Sequence, residues 1–191
     1  SIQDNVFEGY NSTGVVVQGG AEGGDYGLIQ GNVIRNGTEG IRFQKTGHIS
    51  VKENAIYSNS TRGILIEDSQ DILIRGNRIA QHPEDGIRVV GTSSGINVHM
   101  NDIYNNGIGD SGIHNVTGIT VEATVNWWGS PRGPFAPSNT VSGAVEYNPW
   151  LGDSLGTMPD ISVSVPGLDF GHIHIDETTD TTFYIHNVGG D

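Results

Sequence analysis

The chain has 191 residues, 29 of them glycine, no cysteine, and a formal charge of −13 from 22 acids against 9 bases. Without cysteine there are no disulfides, thiolate metal sites or cysteine nucleophiles. The acidic balance repels nucleic-acid phosphates, no stretch approaches the roughly 18 apolar residues of a membrane helix, and no basic-apolar signal segment opens the chain.

From Ile2 onward a pattern recurs. The segments Ile2–Phe7, Ile29–Ile34, Val51–Ile56, Ile74–Ile79 and Val98–Ile103 share an asparagine at their fourth position, and Ala123–Trp128 is a degenerate sixth copy. The asparagines Asn5, Asn32, Asn54, Asn77, Asn101 and Asn126 are 27, 22, 23, 24 and 25 residues apart. About ten residues after each of the first five comes a glycine followed by Val or Ile, at Gly14, Gly40, Gly63, Gly86 and Gly112. Between these marks apolar residues alternate with period two, the spacing of strands with one buried face. Each period thus predicts about three short strands. One unit cannot bury its own apolar row, whereas stacked units make a continuous core.

The predicted fold is therefore all-β: a right-handed parallel β-helix of about six three-strand coils. Leucine-rich repeats share the period but need several leucines per unit, which are absent. The asparagine suits a bend, where it tolerates unusual backbone angles, and its amides can bond from coil to coil as a ladder. The glycine marks are read as turns where φ is positive. Coils vary in length by insertions at 19–25 and 107–110, which map to one side of a solenoid.

Residues 1–151 resemble the right-handed β-helix repeat proteins of the pectin-lyase-like superfamily. Their ending, Asn126-Trp127-Trp128-Gly129-Ser130-Pro131-Arg132-Gly133-Pro134 followed by Val145-Glu146-Tyr147-Asn148-Pro149-Trp150-Leu151, is similar to the closing segment of many bacterial and archaeal members. Trp127, Trp128 and Trp150 are expected to cap the open core. A linker at 152–159 leads to 160–191, where Leu168-Asp169-Phe170-Gly171 and Thr181–Gly189 resemble the start of an immunoglobulin-like domain of choice-of-anchor or spindle-associated type. Such a sandwich needs about 100 residues, so this segment reads as truncated. The resemblance implies a modular parent protein that is secreted or held at a cell surface.

Stacking lets lateral neighbours be read from the repeat, with coils about 4.8 Å apart. The column Thr13, Glu39, Arg62, Asp85, Ser111 suggests an ion-pair ladder from Glu39 through Arg62 to Asp85. Arg78 is set beside Asp102, and Glu8 beside Arg35. One column places like charges together: Gln3, Gln30, Lys52, Arg75, His99, Thr124. Lys52, Arg75 and His99 are a candidate strip for uronate or sulfate groups of a polysaccharide, or a solvated face into which Glu53 reaches. Tyr57 and Tyr104, with Ala80 between, are a candidate stacking platform about two coil rises long.

No catalytic residue is nominated. Lyases of this superfamily commonly hold calcium on clustered aspartates with an arginine or lysine base, and calcium wants six to eight oxygens. The densest acidic spots are Glu67-Asp68 with Asp71, and Glu84-Asp85, each at a turn; calcium is the only cofactor they suggest. Arg42 and Arg88 sit two coils apart with Leu65 between. His172 and His174 are too few for a zinc site. The sequons at Asn11, Asn36, Asn59 and Asn115 are read as turn chemistry. The leading expectation is a non-catalytic module for adhesion or carbohydrate recognition. The alternatives are a fragment of a polysaccharide lyase, epimerase or glycoside hydrolase, and a structural spacer. The first coil starts at Ile2 with no polar cap ahead of it, so self-association through that end is expected.

Overall fold

A computed structural model of the chain describes residues 1–19, 26–107, 111–135, 139–156, 161–163 and 185–187. The insertions at 20–25 and 108–110, with His172, His174 and most of the tail, lie outside these residues. The chain divides into two compact units, Ser1–Leu155 and Gly156–Asp191. In the second, Ile161–Val163 pairs antiparallel with Ile185–Asn187.

The first unit is a parallel β-helix whose described residues contain no helix. Its first sheet stacks Ile2–Gln3, Gly27–Gln30, Gly47–Lys52, Gln70–Arg75, Ser94–His99, Val121–Glu122 and Val145–Glu146. The second stacks Val6–Glu8, Val33–Arg35, Ala55–Tyr57, Arg78–Ala80 and Asp102–Tyr104, extended by a bridge from Asp102 to Trp127. The third stacks Thr13–Gln18, Glu39–Gln44, Arg62–Glu67, Ile87–Val90, Ser111–Asn115 and Thr140–Ser142. Five coils thus carry all three strands, and a sixth is completed by the bridge.

Alternation turns one residue in two inward, and the register places like over like. Ile49, Ile72 and Ile96 align, as do Val51, Ile74 and Val98, Ile34, Ile56, Ile79 and Ile103, and Ile41, Ile64, Ile87 and Ile113. Burying each such side chain is worth about 1.5–3 kcal/mol, so the stacked isoleucines and valines are the main source of stability.

The corner between the first and second sheets carries the asparagine ladder. Each backbone N–H from Asn5 to Asn101 donates to the next asparagine's Oδ1 at 2.9 Å. The amide of Asn77 also donates to the Val51 carbonyl, one coil back, at 2.9 Å. The positive φ of this corner falls on the residue before each asparagine: Asp4, Gly31, Glu53, Gly76, Met100 and Val125. The asparagine is chosen for its side-chain donors and acceptor, and its neighbour makes the bend.

The glycine marks need a similar correction. None of Gly14, Gly40, Gly63, Gly86 and Gly112 has positive φ. They stack on one another so closely that a Cβ at Gly63 would lie 2.6 Å from the Gly86 carbonyl oxygen and 2.8 Å from His82 Nε2. The side chain is missing because the next coil's backbone occupies its place.

That close approach frames a second corner ladder, five residues after each asparagine in the first five coils: Tyr10, Gly37, Asn59, His82 and Asn106, then Asn139. Asn59 N–H donates to His82 Nδ1 at 3.3 Å and His82 N–H to Asn106 Oδ1 at 3.3 Å. Gly37 leaves a gap that the Tyr10 ring fills, and the Tyr10 hydroxyl donates to Asn59 Oδ1 at 2.7 Å. Hydroxyls serve the third corner, where Thr46 N–H donates to Ser69 Oγ and Ser69 N–H to Ser93 Oγ.

At the C-terminal end of the solenoid Trp128 is fully buried in the core. Trp150 packs beside Tyr147 and Phe135 and donates its indole N–H to the Pro131 carbonyl. Trp127, expected in this plug, instead bridges to Asp102 and takes the outer column of the second sheet, because alternation that turns Trp128 in turns Trp127 out.

Candidate functional site

The outer faces of the three sheets differ in how their charges are met. On the third sheet every arginine has an acid. Buried Glu39 receives Arg42 at 2.6 Å and Arg62 at 3.4 Å, and buried Asp85 receives Arg88 at 3.1 Å and His114 at 3.5 Å. The expected ladder from Arg62 to Asp85 does not form, because Arg62 turns to Glu84 and Asp85 is filled by Arg88 and His114. Arg42 is held protonated most firmly by its bond to Glu39.

The second sheet uses rings. Arg35 pairs with Glu8 at 3.1 Å and donates to the Tyr57 hydroxyl at 2.8 Å. Arg78 makes no ion pair with Asp102, whose Oδ1 accepts from Leu155 N–H at 2.8 Å and whose pKa is raised by burial. Its guanidinium lies over the rings of both Tyr57 and Tyr104, 5.3 and 5.5 Å from their centroids. The two tyrosines flank Ala80 in register as anticipated, but their facing sides are occupied by arginine.

The first sheet is different. Gln30, Lys52, Arg75 and His99 are in register on its outer face, in successive coils. Among the described residues neither Lys52 nor Arg75 is within ion-pair distance of an acid. Glu53 does not reach Lys52; it accepts from Gln30 Nε2 at 2.8 Å. Arg75 donates to Met100 Sδ at 3.3 Å, a neutral acceptor that leaves its charge unmatched. His99 is held by Thr124, its Nδ1 lying 3.1 Å from the carbonyl and 3.2 Å from the hydroxyl. Lys52, Glu53, Arg75 and Gly76 line a shallow depression of about 270 Å³. The Glu53 side chain borders Gly76, its Cγ 3.6 Å from where a Cβ there would stand, so the depression is shared by two cations and one carboxylate already engaged by Gln30.

The opposite edge of this sheet holds residues that the repeat pattern did not single out. Six residues before each of four ladder asparagines stand Tyr26, His48, Asp71 and Gly95. The constant offset was the signal available. The last three all have positive φ, a bend repeated at one place in three coils.

Among the described residues no group of three or more His, Asp or Glu side chains is placed to hold a metal ion. Of the acidic spots, Asp68 accepts from the Thr92 N–H and hydroxyl, which hold it below the usual carboxylate range, and Asp71 lies 3.4 Å from His48. Of the sequons, Asn59 and Asn115 are buried and hydrogen-bonded, and Asn36 takes a positive-φ corner. No described helix is long and apolar enough to cross a membrane.

No curated protein and no solved structure matches the chain. A family model described as the right-handed beta helix region matches residues 1–127, the stretch that holds the stacked coils and all six ladder asparagines. The chain belongs to the right-handed β-helix family.

Proposed function

We propose that this β-helix is a non-catalytic recognition module of a modular exported protein, and that it binds an acidic glycan on its first sheet. The observation that carries the reading is the Lys52–Arg75 pair, two adjacent cations that form no ion pair among the described residues, beside a Glu53 that is bonded to Gln30 instead, in a chain of 22 acids and 9 bases. Like charges one coil apart repel by on the order of 1 kcal/mol even in water. The third sheet meets its arginines with buried acids, so the same fold is able to neutralise a cation where it needs to. A uronate carboxylate or a sulfate in the depression between Lys52 and Arg75 supplies the missing counter-charge through charge-assisted hydrogen bonds. The resemblance of 160–191 to an immunoglobulin-like domain supports the modular, surface-exposed setting. A glycan array followed by titration tests the reading: at about 1.5–3 kcal/mol per charged contact, and tenfold per about 1.4 kcal/mol, Lys52→Ala with Arg75→Ala weakens acidic glycans roughly 100-fold or more, and salt weakens the wild type. Equal binding by wild type and double variant at low salt overturns it.

One observation favours a second reading, proton abstraction by a lyase or epimerase. Arg88 and His114 are in register and both lie within ion-pair distance of one buried carboxylate, Asp85, at 3.1 and 3.5 Å, and histidine is the commonest general base. Glycoside hydrolysis fits less well, because Glu39 and Asp85 are each tied by basic side chains instead of facing a free partner. Elimination activity on acidic polysaccharides that is lost in His114→Ala would favour the lyase; inactivity of the wild type across uronate polymers removes it.

A further inference from the structure

The first sheet's outer face carries an aromatic edge opposite its cations. Tyr26 is 85% exposed, and its ring stacks on the His48 imidazole with centroids 4.9 Å apart and planes inclined by 16°. His48 Nδ1 lies 3.4 Å from Asp71 Oδ2 in the next coil. The stack is thus supported from one side, and among the described residues no second ring packs on the other face of Tyr26. The following coil has Gly95 at this position, so no side chain from it covers the Asp71 carboxylate, itself 56% exposed. Between this edge and the Lys52–Arg75 edge lies a floor of half-buried Leu28, Ser50 and Leu73, aligned in register. His48 and Lys52 are four residues apart on one strand, about 13 Å at the rise of an extended chain.

A lone exposed tyrosine needs no explanation. This one is backed by a second ring, sits beside an open carboxylate, and shares a face with the chain's one in-register pair of unmatched cations among the described residues. A pyranose ring presents one face of weakly positive C–H groups, which suits the negative face of an aromatic ring. Its hydroxyls donate, which suits a carboxylate that only accepts. We propose that Tyr26, held by His48, is a stacking subsite for a neutral sugar ring, with Asp71 accepting from that sugar's hydroxyls. One glycan then lies across the first sheet, with an uncharged ring at Tyr26 and an acidic group at Lys52 and Arg75. The inference rests on the acidic-glycan reading for its second half only; the aromatic subsite stands on its own geometry.

The test uses the full chain and two probes with the same backbone, cellotetraose and its C6-oxidised uronate form, titrated calorimetrically. Tyr26→Ala lowers affinity for both probes roughly tenfold, the scale of one aromatic stacking contact, and Tyr26→Phe retains it because the ring face is kept. Asp71→Asn weakens both probes. Lys52→Ala with Arg75→Ala weakens the uronate probe alone. Undiminished binding of both probes by Tyr26→Ala overturns the stacking subsite while leaving the acidic-glycan reading in place. An uncharged-probe affinity that depends on Tyr26, with no effect of the double cation change on either probe, upholds the subsite and overturns that reading. A wild type that binds neither probe overturns both. Tyr26 is exposed and makes no core contact, so its replacement leaves the fold intact, which the melting temperature of each variant verifies.

Discussion

The two corners flanking the second sheet solve one problem with different residues. Both bend at a residue of positive φ and then turn a polar group into the core. In both, that group accepts a backbone N–H from the coil before and reaches back to a carbonyl of the preceding coil: Asn77 to Val51, Asn106 to Ile79, His82 to Ile56. The first corner is uniform, with every step of its N–H to Oδ1 chain at 2.9 Å. The second mixes a tyrosine, a glycine gap, three asparagines and a histidine, and its corresponding steps lengthen to 3.3 Å around the histidine. What the fold requires is one acceptor and one donor at a fixed place, because buried backbone groups there have no water to turn to. An amide supplies both at once; a neutral imidazole does so too, and it adds a titration.

The largest expected effect is at the uniform corner. Asn77→Ala removes the acceptor used by the Asn54 backbone and side chain and the donor to Val51 and Asn101, all buried. At about 1–3 kcal/mol for each group left unsatisfied, partly offset by relaxation, the loss is about 3–5 kcal/mol. An unchanged urea midpoint would break the comparison at its stronger side.

The next effect distinguishes the corners by pH. Asn59 N–H donates to His82 Nδ1, so the proton sits on Nε2, which donates to the Ile56 carbonyl at 3.2 Å. Burial lowers the His82 pKa to about 4. Of the titratable groups around this corner, Tyr10 is raised to about 12 mainly by burial, and Glu39, Arg62, Glu84 and Asp85 are bound up with one another or with Arg88 and His114. The unfolded histidine titrates near 6.5, so the unfolded chain takes up the proton first. The contribution is whole above pH 6.5 and is lost as pH falls through 6.5 toward 4, in total about 3 kcal/mol. His82→Asn keeps a donor and an acceptor without the charge. Its stability is expected to fall less steeply than the wild type's between pH 6.5 and 4, and parallel curves would remove His82 as the cause.

The smallest effect concerns the gap. Tyr10→Phe still fills the space over Gly37 but loses the bond to Asn59 Oδ1, which the Gly37 N–H also reaches at 3.1 Å. The cost is about 1 kcal/mol, read as a drop in melting temperature. A larger loss would mean that the second corner depends on each rung as strictly as the first.

The difference between the corners is also the difference in what could be read from residues. The first ladder was legible because one residue type recurs; the second keeps an equally strict offset, but its residue types vary, and a pattern of identities hides it. The column of Lys52, Arg75 and His99 was legible because register follows from the repeat. What those side chains touch was not. Arg62 chose Glu84 over Asp85, and Arg78 lay between two rings instead of against Asp102, because long side chains span more than one coil and settle by geometry that position alone does not specify.

Composition and spacing were enough to determine an all-β solenoid, its coil count, its inward residues and the asparagine corner, since each depends on period-two alternation and a fixed repeat length. Only the tertiary structure decided why the glycines lack side chains, where the positive φ falls, which cations stay unmatched and which aromatic ring stands open beside them. Those answers depend on distances of a few tenths of an ångström between neighbouring coils, and such distances exist only once the coils are stacked.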